Sequence, residues 1–213
     1  MSDINEEYKD IKCIHKMDEK YKNVFYTLVD HYGEYLNKGC PVGKTLFTSH
    51  DFDKHCTDMY GIISNIVLSD ENFKIISPKE LFILNLAVLF HDISMATDKN
   101  CNRKKHSIES AQYIQDEFDN VSSSLHKLIE ERILVRNDIN SLKEIIKAHS
   151  DDKTDTSIDN GIFRKTLKEK MQTASSDKIR AKLLAAILRL ADELDVTSDR
   201  LGSERYAKQL SSD

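Results

Sequence analysis

Two prolines and six glycines in 213 residues leave this chain few means of turning sharply. That scarcity excludes a fold built on many tight hairpins and favours long helices. Tryptophan is absent, and the four cysteines, Cys13, Cys40, Cys56 and Cys101, stand far apart without a CxxC pair. Neither a zinc-finger spacing nor a disulfide framework fits them, so they read as reduced thiols, mostly buried small apolar residues. Cys56 adjoins His55 but lacks a preceding Gly-rich turn or an oxyanion loop, which argues against a nucleophile. No apolar run approaches the ~18 residues that would cross a bilayer. The first residues, Met1 to Glu7, lack the basic-then-apolar order of a secretion signal, and a cytoplasmic protein without membrane attachment is predicted. The net charge of -5 gives no general pull toward nucleic acid or anionic lipid, although a local basic patch can outweigh it.

What is present is ordinary for a globular core: 39% hydrophobic and 31% charged residues. The length suits one domain, read as an N-terminal helical extension over 1–45 and a main domain over 46–213. Apolar residues recur at spacings of three and four from Tyr8 to Leu36, predicting one long amphipathic helix or two. Gly39 to Gly43 interrupts them. A second helix is predicted to run to about Leu68, capped by Ser49 or Asp51, with Met59, Ile62, Ile63, Ile66 and Val67 facing inward. Ser77-Pro78-Lys79-Glu80 combines an N-cap serine, proline at N1 and glutamate at N3. It opens a helix almost wholly apolar from Leu81 to Phe90, the pattern of an element buried on all sides. Further helices are predicted near 106–117, 122–134, 138–149, 160–173, 176–195 and 199–209, with only local pairing open to Ile75-Ile76 and Val135. The fold class is all-α, a helical bundle.

His91-Asp92 closes that apolar helix. Burying an unpartnered polar group costs roughly 2–7 kcal/mol, so the doublet needs a partner. A divalent cation suits an imidazole nitrogen beside a carboxylate oxygen, while a hydrogen-bonded pair or a helix cap would explain the doublet alone. Other polar residues stand at or near helix ends or on apolar helices: His55, His106, His149 and Asp192. Such positions can converge at the centre of a bundle. A histidine-rich set with few carboxylates favours Mn, Fe, Ni, Co or Zn over Mg.

The ordered series His55, His91-Asp92, His106, His149, Asp192 resembles the HD superfamily of metal-dependent phosphohydrolases over roughly 46–200. Leu89-Phe90-His91-Asp92-Ile93-Ser94 looks like that family's apolar helix ending in the doublet, with Ser94 where a glycine is familiar. His106-Ser107-Ile108-Glu109-Ser110-Ala111 is similar to its H-x-x-x-(S/G)-A helix start, and Leu188 to Asp195 to its LRLAD-x-LD helix. The resemblance implies an HD-domain bundle in which Asp92 bridges two ions. His55, His91 and Asp192 would hold one ion and His106 and His149 the other, with His91 and Asp92 at the catalytic heart. One ion held by four ligands fits too, leaving His106 and His149 to bind phosphate or move protons. His50 and His55 both offer the first ligand; His55 is favoured by the register of the following helix, with His50 then an outer contact. The implied reaction is hydrolysis of a phosphoester or phosphoanhydride in a nucleotide or nucleic acid by a metal-activated water. Residues 188–195 and the segment His50-Asp51-Phe52-Asp53-Lys54-His55 particularly resemble HD domains associated with gyrase/histidine-kinase-type ATPase modules. That likeness implies an alternative, a non-catalytic metal- or nucleotide-binding module serving an ATPase-type partner. The long N-terminal helix leaves a homodimer open.

Further phosphate contacts are expected from Lys54, Arg103, Lys105 and Arg189, each of which could equally be a solvated or structural charge. Asp195 and Arg200 are read as structural ion-pair residues, and His15, His31 and His126 as surface residues. Gly39 to Thr45 ends in Gly-Lys-Thr but has neither the glycine spacing nor the preceding strand of a phosphate-binding loop.

Overall fold

A computed structural model describes residues 11–37, 52–97, 105–150, 171–172 and 178–195. Within them the chain is all-α apart from one two-residue strand pair. The N-terminal stripe forms two helices, α1 (Lys12–His15) and α2 (Glu19–Asn37), whose buried face carries Tyr21, Phe25, Leu28, Val29, Tyr32 and Leu36. Next comes α3, three continuous helical segments Phe52–Cys56, Thr57–Ile62 and Ile63–Val67, followed by α4 (Asp70–Ile75) and α5 (Pro78–Phe90). After the doublet lie α6 (Ile93–Thr97), α7 (His106–Asp119), α8 (Ser124–Glu130) and α9 (Arg136–Lys147). Strands β1 (Met171–Gln172) and β2 (Lys178–Ile179) pair antiparallel before α10 (Ala181–Leu194).

The centre is α5. Every residue from Glu80 to Phe90 is buried, and α2, α3, α9 and α10 pack around it. Each large apolar side chain so placed contributes about 1.5–3 kcal/mol of burial, enough to fix where the helix ends and therefore where His91 and Asp92 stand. Its start is fixed as firmly. The Ser77 hydroxyl accepts from the Glu80 amide at 3.2 Å, and the Glu80 carboxylate accepts from the Ser77 amide at 3.0 Å. The same carboxylate accepts from Arg180 through the backbone amide (2.9 Å), Nε (2.9 Å) and Nη2 (2.7 Å), tying the start of α5 to the start of α10.

Several expectations change. The last long helix begins at Ala181 rather than near 176, because Glu80 holds the Arg180 amide outside helical geometry (φ -83°, ψ 71°) and Lys178–Ile179 pair as strand. Met171–Gln172 are likewise strand, not the end of a helix over 160–173. Ile75 lies in α4 and Val135 caps α9, so neither pairs as a strand. Ile66 points outward, 68% exposed. Around it α3 widens to turns closing i to i+5, which shifts the register and brings Ser64 inward to accept from the Cys13 amide at 3.0 Å. The first described amides of α3, those of Phe52 and Asp53, donate to the Asn37 side chain at 3.0 Å each. Ser49 and Asp51, the expected caps, lie outside the described residues, as do 160–170 and the helix over 199–209. His126 is half-buried and donates from Nδ1 to the Phe118 carbonyl (2.6 Å), so it is not a simple surface residue.

Candidate metal centre

Three helices and the C-terminal ends of two others deliver the polar cluster. His55 sits in the widened first segment of α3, His91 and Asp92 follow α5, His106 opens α7, His149 follows α9, and Asp192 lies in the last turn of α10. The structure brings all six together. The donor atoms of His55, His91 and Asp192 lie within 4.8 Å of one another, and so do those of Asp92, His106 and His149. Asp92 stands between the groups. Its Oδ2 is 3.5 Å from His91 Nε2 and 3.9 Å from His55 Nε2, while its Oδ1 is 3.3 Å from His106 Nε2 and 3.6 Å from His149 Nε2.

The proton positions test whether a cation fits. His91 Nδ1 is 2.8 Å from the Val88 carbonyl and His149 Nδ1 is 2.6 Å from the Ile146 carbonyl. A carbonyl only accepts, so each Nδ1 carries the hydrogen and each Nε2 keeps its lone pair when the ring is neutral. His55 Nδ1 meets the Asp195 carboxylate at 2.6 Å, which imposes the same tautomer. Yet His55 Nε2 and His91 Nε2 approach to 3.0 Å, and His106 Nε2 and His149 Nε2 to 2.9 Å. Burial, against the pull of Asp92, pushes the His91 imidazole down to about 3, so this ring stays neutral at ordinary pH. Two lone pairs facing across 3.0 Å in a buried site repel, and either a proton between them or a cation beside both reconciles them. The donor set is one that can hold a divalent metal ion in each half.

His149 behaves differently. Burial works to lower it, but the hydrogen bond and charge of Asp92 prevail and raise it. Burial likewise works to raise Asp192, and the imidazoles of His91, His149 and His55 outweigh it, holding this carboxyl below its ordinary range. Access is one-sided. The Asp192 and His106 side chains are 25% and 17% exposed, against 5% or less for the other four. Solvent thus reaches the cluster past one member of each group.

These groups, in this order and this geometry, agree with a comparison against known families. Residues 29–211 match the HD-CE family. The chain belongs to that family. No curated protein and no solved structure matches it. The HD-CE match takes in every member of the cluster, and among the described residues no helix is long and apolar enough to cross a membrane.

The proposed phosphate-contact residues fall less neatly. Lys54, beside His55, is ion-paired with Asp58 at 3.0 Å; Lys105 is exposed just before His106; Arg189 is half-buried one turn before Asp192. His50 and Arg103 lie outside the described residues, as do Arg200 and the Gly39–Thr45 stretch. Cys56 is buried with its Sγ against the Val88 carbonyl at 3.6 Å, out of reach of substrate. Two contributors escaped the sequence reading. Asp195 faces His55, where only an ion pair with no role in the site was expected. Ser94, read as a replaced glycine, donates to the His106 carbonyl at 3.0 Å and accepts from the Ser110 hydroxyl at 3.0 Å. Its polar side chain between two helix ends was the available signal.

Proposed function

We propose that this HD-CE protein is a metal-dependent phosphohydrolase that cleaves a phosphoester or phosphoanhydride bond of a nucleotide or nucleic acid. The observation that carries the reading is Asp92, one carboxylate whose two oxygens address two separate groups of imidazoles. His55, His91 and Asp192 would hold one divalent ion, His106 and His149 a second, and Asp92 both. Bound ions supply Lewis acidity toward phosphate oxygens and toward a water molecule. The chain itself contributes orientation and exclusion. Backbone carbonyls of Val88 and Ile146 fix two rings, the core behind α5 keeps bulk water out, and the Asp192–His106 side admits substrate. Lys105 and Arg189, flanking that side in sequence, and Lys54, Arg103 and His50 would meet substrate phosphates. Mn, Fe, Ni, Co and Zn suit this set better than Mg because imidazoles outnumber carboxylates. The likeness of 188–195 and of 50–55 to HD domains associated with ATPase modules supports work beside such a partner, in the cytoplasm.

The test is metal analysis by mass spectrometry on protein purified without chelator, then a panel of nucleotides and single-stranded nucleic acids with added Mn. Asp92→Ala is expected to lose both metal and hydrolysis while helical content, read by circular dichroism, stays near the parent value. Full metal content and full rate in that variant would overturn the assignment. Tight metal retention with no turnover across the panel would instead point to a binding module.

A further inference from the structure

We propose that Asp195 is a positioning residue that sets metal affinity through His55. The inference rests on the metal-binding reading of the cluster, not on turnover. The geometry is specific. Asp195 stops α10, with its own amide bonded to the Ala191 and Asp192 carbonyls (3.1 and 3.3 Å), and its carboxylate is fully buried. Its Oδ2 lies 2.6 Å from His55 Nδ1, while Asp192 Oδ1, three residues earlier, lies 3.6 Å from His55 Nε2. One helix turn thus grips both nitrogens of one imidazole, the first as hydrogen-bond acceptor and the second as fellow ligand.

The consequence separates His55 from the other rings. His91 and His149 donate Nδ1–H to neutral backbone carbonyls, whereas His55 donates to a carboxylate. A charged acceptor makes a stronger bond, holds the ring and its tautomer more firmly, and makes the opposite nitrogen more basic toward a cation. It also compensates a positive ion a ring's width away, in a setting where a buried carboxylate would otherwise be costly. Nothing about this contact follows from α10 needing a cap, since the stop is made by the Asp195 backbone amide and not by its carboxylate.

The experiment titrates the full chain, stripped of metal, with Co(II), following the d–d absorption bands and competition with a chelator. Asp195→Asn is expected to weaken the tighter binding step by roughly 10–100-fold and to move the d–d bands, with circular dichroism unchanged. In a His55→Ala background the same substitution should cost nothing further, because its effect runs through that ring. Affinity within twofold of the parent in folded Asp195→Asn, or an undiminished loss in the His55→Ala background, overturns the proposal. A measurement on the unmodified chain stands independently of variant folding: long-range proton–nitrogen NMR of the Zn-loaded protein should place the His55 proton on Nδ1. A proton on Nε2 overturns it. Metal affinities obeying this pattern without any hydrolysis would defeat the phosphohydrolase reading and leave Asp195 in its place.

Discussion

A carboxylate has two oxygens, and a neutral imidazole has one free lone pair; the division of labour in the cluster follows from that difference. Each histidine can serve one ion, and only Asp92 reaches both groups. Ser94 shows how little separates a ligand from its support. Its amide donates to Ser110 Oγ at 3.2 Å, Ser110 returns a hydroxyl hydrogen at 3.0 Å, and Ser94 Oγ passes its own to the His106 carbonyl at 3.0 Å. Ser94→Ala removes one hydrogen bond from the part-buried His106 carbonyl and one from the buried Ser110 hydroxyl. A loss of about 1–3 kcal/mol in denaturant unfolding is expected, together with weaker metal binding through His106. If stability and affinity both match the parent, the chain of hydroxyls does not position His106. The six cluster residues were legible because each is a histidine or aspartate in a setting that otherwise asks for carbon or helix-capping chemistry. Asp195 was not, since an acidic residue at a helix C-terminus reads as a structural ion pair until its partner, 140 positions earlier, is known.

Between elements, the pair Glu80–Arg180 fastens the two helices that carry the doublet and Asp192. Burial works to raise the Glu80 carboxyl, but hydrogen bonds from the Arg180 side chain and backbone and from the Ser77 backbone amide outweigh it and leave it below its ordinary value of 4.5. A carboxyl whose folded value is depressed contributes stability above its unfolded value, and that contribution is lost as pH falls through the folded one. Stability of the parent should therefore fall as pH drops below about 4.5, beyond what the exposed carboxyls cause. Glu80→Gln should cost about 2 kcal/mol at pH 7, less than a fully buried pair because Arg180 reaches solvent, and should flatten that acid dependence. Equal slopes in urea midpoints from pH 7 to pH 3 would rule the coupling out. At this scale helix existence was legible from periodicity and from the Ser77-Pro78-Lys79-Glu80 start. The start of α10 was not, because Arg180 is held out of the helix by a residue 100 positions away. Nor was the outward turn of Ile66, since a widened helical turn changes register without any change in composition.

Across the whole molecule, the apolar core and the polar cluster have different dependences. The core closes around α5 through apolar side chains from α1 to α10. The cluster, by contrast, brings imidazole Nε2 atoms together at 3.0 Å (His55–His91) and 2.9 Å (His106–His149), approaches that a cation beside them relieves. Metal should accordingly bind the folded chain and add stability by mass action: about 2.7 kcal/mol when free metal is a hundredfold above its dissociation constant. For a chain of this length that raises the melting midpoint by about 5–10 °C. Removing metal with a chelator should lower the midpoint by that amount and leave far-ultraviolet dichroism unchanged at 20 °C. The shift should vanish in Asp92→Ala, which has lost the residue common to both groups. A chelated protein that unfolds at 20 °C would make the ion part of the fold rather than a guest of it. A midpoint indifferent to metal would mean that protons, not cations, reconcile the facing imidazoles.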